Sequence, residues 1–363
     1  MKIRKSMRKG YALTLAAILT LPCLSLMQTQ AARGIDTEQE CSLTVSVGIG
    51  SAAGANDEYL EDFNQMSIPV SVYRVADVDV TGQKFTPTEA FAGGDLDFGG
   101  ISSTTAAEEW QELAGQAETI RESRSPSASG GTIVQNTVGS EAQGRITGLR
   151  PGMYLVVPEE TYNRDYSVRY AFTPYLAALP GSEYALEGEG SDDWNYDMTI
   201  GLKPEAEPQY GKLNITKNLL NYNETLGQTS FAFLVEGRET PDGPVVYSDV
   251  VSTLHDAAGN ETVVLDKIPA GLIVTVKEIY SGASYRINGA DTDSAVIWSD
   301  AAVEAGITGT DAQGNTATAG AAEVTFANEY DGGNRGGYGV TNHFDSDGEG
   351  GWVWENPTTP AEE

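Results

Sequence analysis

Short stretches in which apolar and polar residues alternate dominate the chain. Leu43, Val45, Val47 and Ile49 fall on one side of the first such stretch, because successive strand side chains point to opposite faces. Val70–Val75 (VSVYRV) repeats the pattern, and Met153–Val157 (MYLVV) does so after the turn Arg150-Pro151-Gly152. The signal recurs at Leu213–Lys217, Phe231–Val235, Val263–Leu265, Leu272–Tyr280 and Val324–Tyr330. Gly, Pro, Asn and Asp separate these short strands, a rhythm that predicts β-sandwiches. One stretch changes period. Ala106, Ala107, Trp110, Leu113, Ala114, Ala117 and Ile120 recur at helical spacing, predicting a helix near 105–124. Thr105 and Glu108 are placed to form a capping box at its start, and a Ser/Gly-rich loop, Ser125–Gly131, follows it.

The expected fold class is therefore mainly β: two tandem immunoglobulin-like β-sandwiches, the first with a helical insertion. The first is expected over 33–204 and the second over 211–330. Between them, Pro204-Glu205-Ala206-Glu207-Pro208 reads as part of a stiff, solvated linker ending at residue 210. Residues 331–363 form an acidic, Gly-rich tail in which Val340–Phe344 and Trp352–Trp354 are spaced for a hairpin. Residues 1–32 read as a secretory signal peptide. Lys2, Arg4, Lys5, Arg8 and Lys9 precede an apolar stretch from Tyr11 to Met27, and Thr29 and Ala31 suit a cleavage site. An uncleaved membrane anchor is the rival reading, opposed by Pro22 and by the short apolar core. Cys23, directly after Pro22, is in a poor context for lipidation. The chain is thus expected outside the cell, with no membrane contact after cleavage.

Charge and cysteine content narrow the function. The full chain has a net charge of −30, and the leader removes only basic residues from it. Such a chain repels nucleic acid and anionic lipid. Cys41 is the only cysteine beyond the leader, so no intramolecular disulfide can form. A secreted protein of this kind relies on its core or on a different covalent staple.

The second sandwich contains a pattern that would supply one. Leu213, Ile215 and Lys217 share a strand face; so do Val274, Val276, Glu278 and Tyr280; so do Val324, Phe326, Asn328 and Tyr330. Three strands each aim one polar group inward among apolar neighbours. A lone buried amine or carboxylate is expensive, so such groups are paired or neutralised. One reading is a buried Lys217–Glu278 salt bridge with Asn328 hydrogen-bonded nearby. The other is a Lys217–Asn328 isopeptide bond. In it, burial favours an uncharged amine and a protonated Glu278, which polarises the carboxamide and shuttles protons. The amine attacks, ammonia leaves, and the amide joins the first and last strands once per molecule. Lys212 competes with Lys217 but would face outward with Asn214, and Asn342 competes with Asn328.

The segments ITKNL, IVTVKEIY and EVTFANEY resemble the lysine strand, glutamate box and closing asparagine strand of Cna B-type domains. The resemblance spans roughly residues 211–330 and keeps the family's order of lysine, acid and asparagine. It implies Lys217 and Asn328 as the cross-link and Glu278 as its proton shuttle. The first half is similar to the N-terminal domain of Gram-positive sortase-assembled pilins of the SpaA type. The pieces that carry this are IPVSVYRVADV, the helix around EEWQELAGQA, GLRPGMYLVV, FTPYLAALPG and WNYDMTIGLKP, together covering about 41–204. In that family a tryptophan-headed strand ends in the lysine that attacks the sortase acyl-enzyme. Trp194 through Lys203 matches the spacing and makes Lys203 the candidate pilin-motif lysine, exposed at a strand end, with Gly201-Leu202 in place of the family's Tyr-Pro. The opening strand of this half has no inward lysine, and Glu159 is expected solvated at a strand exit. No isopeptide is expected there.

The resemblance implies a secreted structural subunit of a pilus or fibre, located at the cell wall or in a pilus. Its implied partners are other pilin subunits and a sortase. The alternative is an adhesin that binds a host or matrix ligand through the helix and loops of 85–145. The chain ends in WVWENPTTPAEE, with no LPXTG-like motif, apolar span or basic tail. As given, it is not expected to act as a sortase acyl donor. Asp345, Asp347 and Glu349 superficially suit Ca²⁺, as do Asp291 and Asp293 more weakly, but no full binding loop is present. No metal or cofactor is expected. Turnover catalysis finds no foothold either. Histidines are confined to His255 and His343, Cys41 has no recognisable base, and HExxH, GxSxG and phosphate-loop motifs are missing.

Overall fold

The structure, a computed structural model, describes residues 34–47, 60–101, 105–136, 141–182 and 193–333, and the backbone of 343–346 and 352–355. The segment 1–32 read as a signal peptide, together with Ile49, Asn342, Asp347 and Glu349, lies outside the described residues. The chain is mainly β. Its first half contains β1 (Cys41–Ser46), α1 (Leu60–Phe63), β2 (Ser67–Val78), β3 (Phe85–Pro87), α2 (Ala107–Arg124), β4 (Gly130–Gln135), β5 (Gln143–Leu149) and β6 (Gly152–Pro158). Then come β7 (Thr161–Tyr162), β8 (Val168–Phe172), β9 (Tyr175–Leu179), β10 (Gly181–Ser182), β11 (Trp194–Asn195), β12 (Asp197–Gly201) and β13 (Pro204–Pro208).

The main sheet runs in the order β12-β1-β5-β4-β2-β6-β9, with β3 added to β2, and a second sheet is ordered β13-β8-β7. Leu43, Val45 and Val47 are fully buried, as their alternation predicts. They belong to one apolar core with Val70, Val72, Leu155 and the helix residues Trp110, Ala114, Ala117 and Ile120. The helix therefore packs on the sandwich with the stripe that its sequence announces. Its start differs from expectation. Ala106 is the N-cap, in extended conformation and without a side-chain cap hydrogen bond, so the helix start lies one residue beyond the expected Thr105 cap.

The segment read as a solvated linker is a strand. Residues of β13 pair antiparallel with β8, Pro204 opposite Phe172 and Pro208 opposite Val168. Arg169 on β8 ion-pairs with Glu207 at 2.6 Å. The two prolines are tolerated because β13 is an edge strand, where a missing N–H need not break a ladder.

The second half contains β14 (Tyr210–Leu219), β15 (Thr229–Arg238), β16 (Tyr247–His255), β17 (Gly259–Pro269), β18 (Ile273–Tyr280), β19 (Tyr285–Ile287) and β20 (Thr292–Val296). These are followed by α3 (Asp300–Ala305), β21 (Thr308–Thr310), β22 (Thr316–Thr318) and β23 (Ala322–Tyr330). Two four-stranded sheets, β17-β14-β23-β19 and β16-β15-β18-β20, close over a separate core of Leu213, Ile215, Phe231, Phe233, Val274, Val276, Val324 and Phe326. First and last strands lie side by side and parallel, Lys217 opposite Phe326 and Leu219 opposite Asn328. In the tail, β24 (His343–Ser346) and β25 (Trp352–Glu355) pair as an antiparallel hairpin.

The two halves meet at the turn before β8. The Ser167 carbonyl accepts from Gln209 N at 2.8 Å, and the Tyr166 carbonyl accepts from the Ser299 hydroxyl at 2.8 Å. Ser299 is buried and also caps α3 by accepting from Ala302 N.

Candidate functional site

The alternation of β14, β18 and β23 delivers three polar side chains to one spot. Lys217 and Asn328 come from adjacent parallel strands of one sheet, and Glu278 comes from the facing sheet. Relative exposure is 0% for Lys217, 4% for Glu278 and 0% for Asn328. Lys217 Nζ lies 2.6 Å from Glu278 Oε2. Asn328 Nδ2 donates to Glu278 Oε1 at 2.6 Å and to the Ser281 carbonyl at 3.2 Å. One carboxyl group thus bridges an amine and a carboxamide. Tyr280, placed by alternation on the same face, is instead 49% exposed; β18 meets a register shift opposite Ala232 and Phe233 as it leaves the core.

The surroundings are aromatic. Lys217 Nζ sits 4.6 Å from the centroid of the Phe231 ring and 5.7 Å from that of Phe233. Burial pulls the lysine below its ordinary value of 10.5, while the hydrogen bond and charge of Glu278 act in the opposite direction. A buried amine in a ring-lined pocket is thereby nearer to the uncharged, nucleophilic form. The Glu278 carboxyl meets the carboxamide at its nitrogen rather than at its oxygen. Asn328 Oδ1 is buried and has no hydrogen-bond partner among the described residues.

Alternation in YSDVVSTLH places two further polar groups inward. Thr253 and His255 on β16 are buried, and Thr253 Oγ1 and His255 Nε2 are without hydrogen-bond partners among the described residues. The His255 ring stands edge-on to Phe231 at 5.3 Å. Burial, and then the charge of Lys217, pull its titration down against the opposing Glu261 and Asp256.

The other candidates separate from this site. Lys212 is exposed, as its outward position requires. Lys203 follows β12 and is half-buried rather than exposed, with Nζ 4.5 Å from the Tyr175 ring centroid. Tyr175 in turn donates its hydroxyl proton to the Gly201 carbonyl at 2.6 Å. Glu159 is exposed. Cys41 is buried and unpaired, and burial pushes its thiol up to about 12. Among the described residues no group of three His, Cys, Asp or Glu side chains is arranged to hold a metal, and no helix is long and apolar enough to cross a membrane.

No protein-family model matches the chain, and no curated protein does. Solved structures do. A streptococcal ancillary pilin is 12% identical, over 80% of this chain and 69% of that one, with a TM-score of 0.25. The major pilin SpaD of Corynebacterium diphtheriae is 13% identical, over 84% of this chain and 100% of that one, with a TM-score of 0.25. The basal pilin SpaE of Lactobacillus rhamnosus GG is 13% identical, over 80% and 99%, with a TM-score of 0.29. Each of these three solved structures is a pilin.

Proposed function

We propose that the chain is a secreted, cell-surface structural subunit of a Gram-positive pilus or fibre, and that its second sandwich is stapled by a Lys217–Asn328 isopeptide bond. The observation that carries this reading is the convergence of a buried amine, carboxyl and carboxamide within hydrogen-bonding distance in a ring-lined interior. Such a trio suits a reaction that happens once. The Lys217 Nζ attacks Asn328 Cγ and gives a proton to Glu278 Oε2; the proton on Oε1 passes to Nδ2; the Cγ–Nδ2 bond breaks and ammonia leaves. One amide is made, Glu278 ends protonated as it began, and no outside reactant is consumed. The protein has no substrate to turn over in this reading.

A cross-link between the first and last strands replaces the disulfide that the cysteine content denies. A loop of about 100 residues closed in this way is worth roughly 4–5 kcal/mol in the chain-entropy account. The folded protein should be lighter than its sequence by one ammonia, and fragment mapping should join the Lys217 peptide to the Asn328 peptide. Glu278→Ala should restore the full mass and lower the melting temperature. A wild-type mass equal to that calculated from the sequence removes the staple from the account.

Assembly with other subunits is assigned to Lys203. Its resting place on Tyr175 holds the ammonium against a ring face at the end of β12, a contact worth about 0.5–1 kcal/mol at a partly exposed site. It must swing off that ring to reach a sortase acyl-enzyme. Lys203→Ala should abolish high-mass ladders on surface extracts while leaving the intramolecular mass loss intact. Unchanged ladders would assign assembly to another residue.

A further inference from the structure

The turn after β18 does more than connect strands. The Asn328 carboxamide has two amide hydrogens, and both have acceptors: Glu278 Oε1 at 2.6 Å and the backbone carbonyl of Ser281 at 3.2 Å. A carboxyl group can accept or donate, according to its proton. A backbone carbonyl can only accept. If the carboxamide were turned over, Oδ1 would face the Ser281 oxygen at the same separation, lone pair against lone pair. The Ser281 carbonyl therefore decides which end of the amide faces Glu278.

Gly282 fixes where that carbonyl points. Its φ is +82°, a left-handed conformation that side-chain-bearing residues adopt at a cost. A Cβ there would lie 3.0 Å from Thr229 Oγ1, 3.1 Å from Tyr285 Cδ2 and 3.3 Å from Phe231 Cε1. Phe231 is the ring beneath the Lys217 amine. The same glycine thus lets the chain turn and leaves room for the aromatic wall of the site.

We infer that the Ser281–Gly282 turn is the positioning element of the cross-linking reaction: it presents the Asn328 nitrogen, the leaving group, to the carboxyl that has just met the amine. The inference rests on the Lys217–Asn328 reading and deepens it. With the nitrogen on Oε1 and the amine on Oε2, Glu278 works on the departing ammonia, and negative charge develops on Oδ1, away from the acid.

The test is a cell-free synthesis time course of the full chain, following the fraction that becomes one ammonia lighter, for wild type and Gly282→Ala. Native protease resistance is read at each point, so that only folded chains are compared. Folded Gly282→Ala should link at least about tenfold more slowly, in keeping with the rate cost of a small misplacement of reacting groups. Linking at the wild-type rate overturns the positioning role while leaving the bond itself intact. Wild type that never loses ammonia overturns the underlying reading instead. Should Gly282→Ala not fold, neutron diffraction of Lys217→Met, which cannot link, decides the matter. Deuterons on the atom facing Ser281 O and Glu278 support the inference, and deuterons on the opposite atom overturn it.

Discussion

At the scale of residues, the decisive feature is that β14, β18 and β23 each spend an inward position on a polar side chain. That cost makes sense only if the groups neutralise one another. It also gives the uncrosslinked state a distinctive pH dependence. The folded-state titration of Lys217 is lowered relative to the ordinary 10.5 of an unfolded chain, chiefly by burial. Between those two values the unfolded chain binds a proton that the folded one has lost, so stability rises with pH through that window. Asn328→Ala, which cannot form the amide, should therefore gain stability in urea as pH rises toward 10.5, whereas a wild type linked as proposed would have no amine at Lys217 and should gain nothing from this group. Parallel pH profiles for the two proteins would show that Lys217 is charged and well compensated in the fold. The inward positions of Lys217, Glu278 and Asn328 were legible in the sequence because period-two alternation is a local signal. The orientation of the carboxamide was not, because it depends on a carbonyl in a turn that alternation does not describe.

At the scale of elements, the helix and the joining strand show where local reasoning stops. The apolar stripe of α2 is in the sequence, and Trp110, Ala114, Ala117 and Ile120 are buried as it requires. Its first residue is not fixed by that stripe, and the cap falls on Ala106 instead of Thr105. Ala106 is exposed and already extended, so a side chain that accepts from the first free N–H groups fits without moving the backbone. Ala106→Asp should stabilise the protein by about 1 kcal/mol, both as a cap and as a charge at the helix N-terminus. In a domain of this size, calorimetry should record an increase of roughly 2–4 °C in the melting point of the first transition. A fall would mean that the helix begins elsewhere in solution. For β13 the local signal misleads: PEAEP has the composition of a spacer. Its strand pairing comes from β8, whose exposed edge and Arg169 are invisible from the segment itself. The partial burial of Lys203 escapes the local pattern for the same reason, since Tyr175 reaches it from another strand.

At the scale of the whole molecule, that joining strand changes how the two sandwiches relate. A free linker would let them swing independently. Here β13 belongs to the first sandwich, β14 begins two residues later, and the turn at Tyr166 and Ser167 is hydrogen-bonded to Ser299 and Gln209. The path from Lys203 to the core of the second sandwich is thus continuous paired backbone. A protease must take a stretch of chain into its active site in extended, unpaired form, and paired backbone resists this until it opens. A Glu-specific protease should therefore spare the bonds after Glu205 and Glu207 under native conditions, even though both carboxylates lie on a surface edge strand. Ser299→Ala removes one tie between the halves and the cap of α3 together, and should speed cleavage there without altering the mass loss at Lys217. Rapid cutting of wild type into two stable fragments would mean that β13 opens freely from β8. The chain between Lys203 and Lys217 would then be a tether, and in the proposed fibre tension entering at Lys203 would reach β14 before the first sandwich could share it.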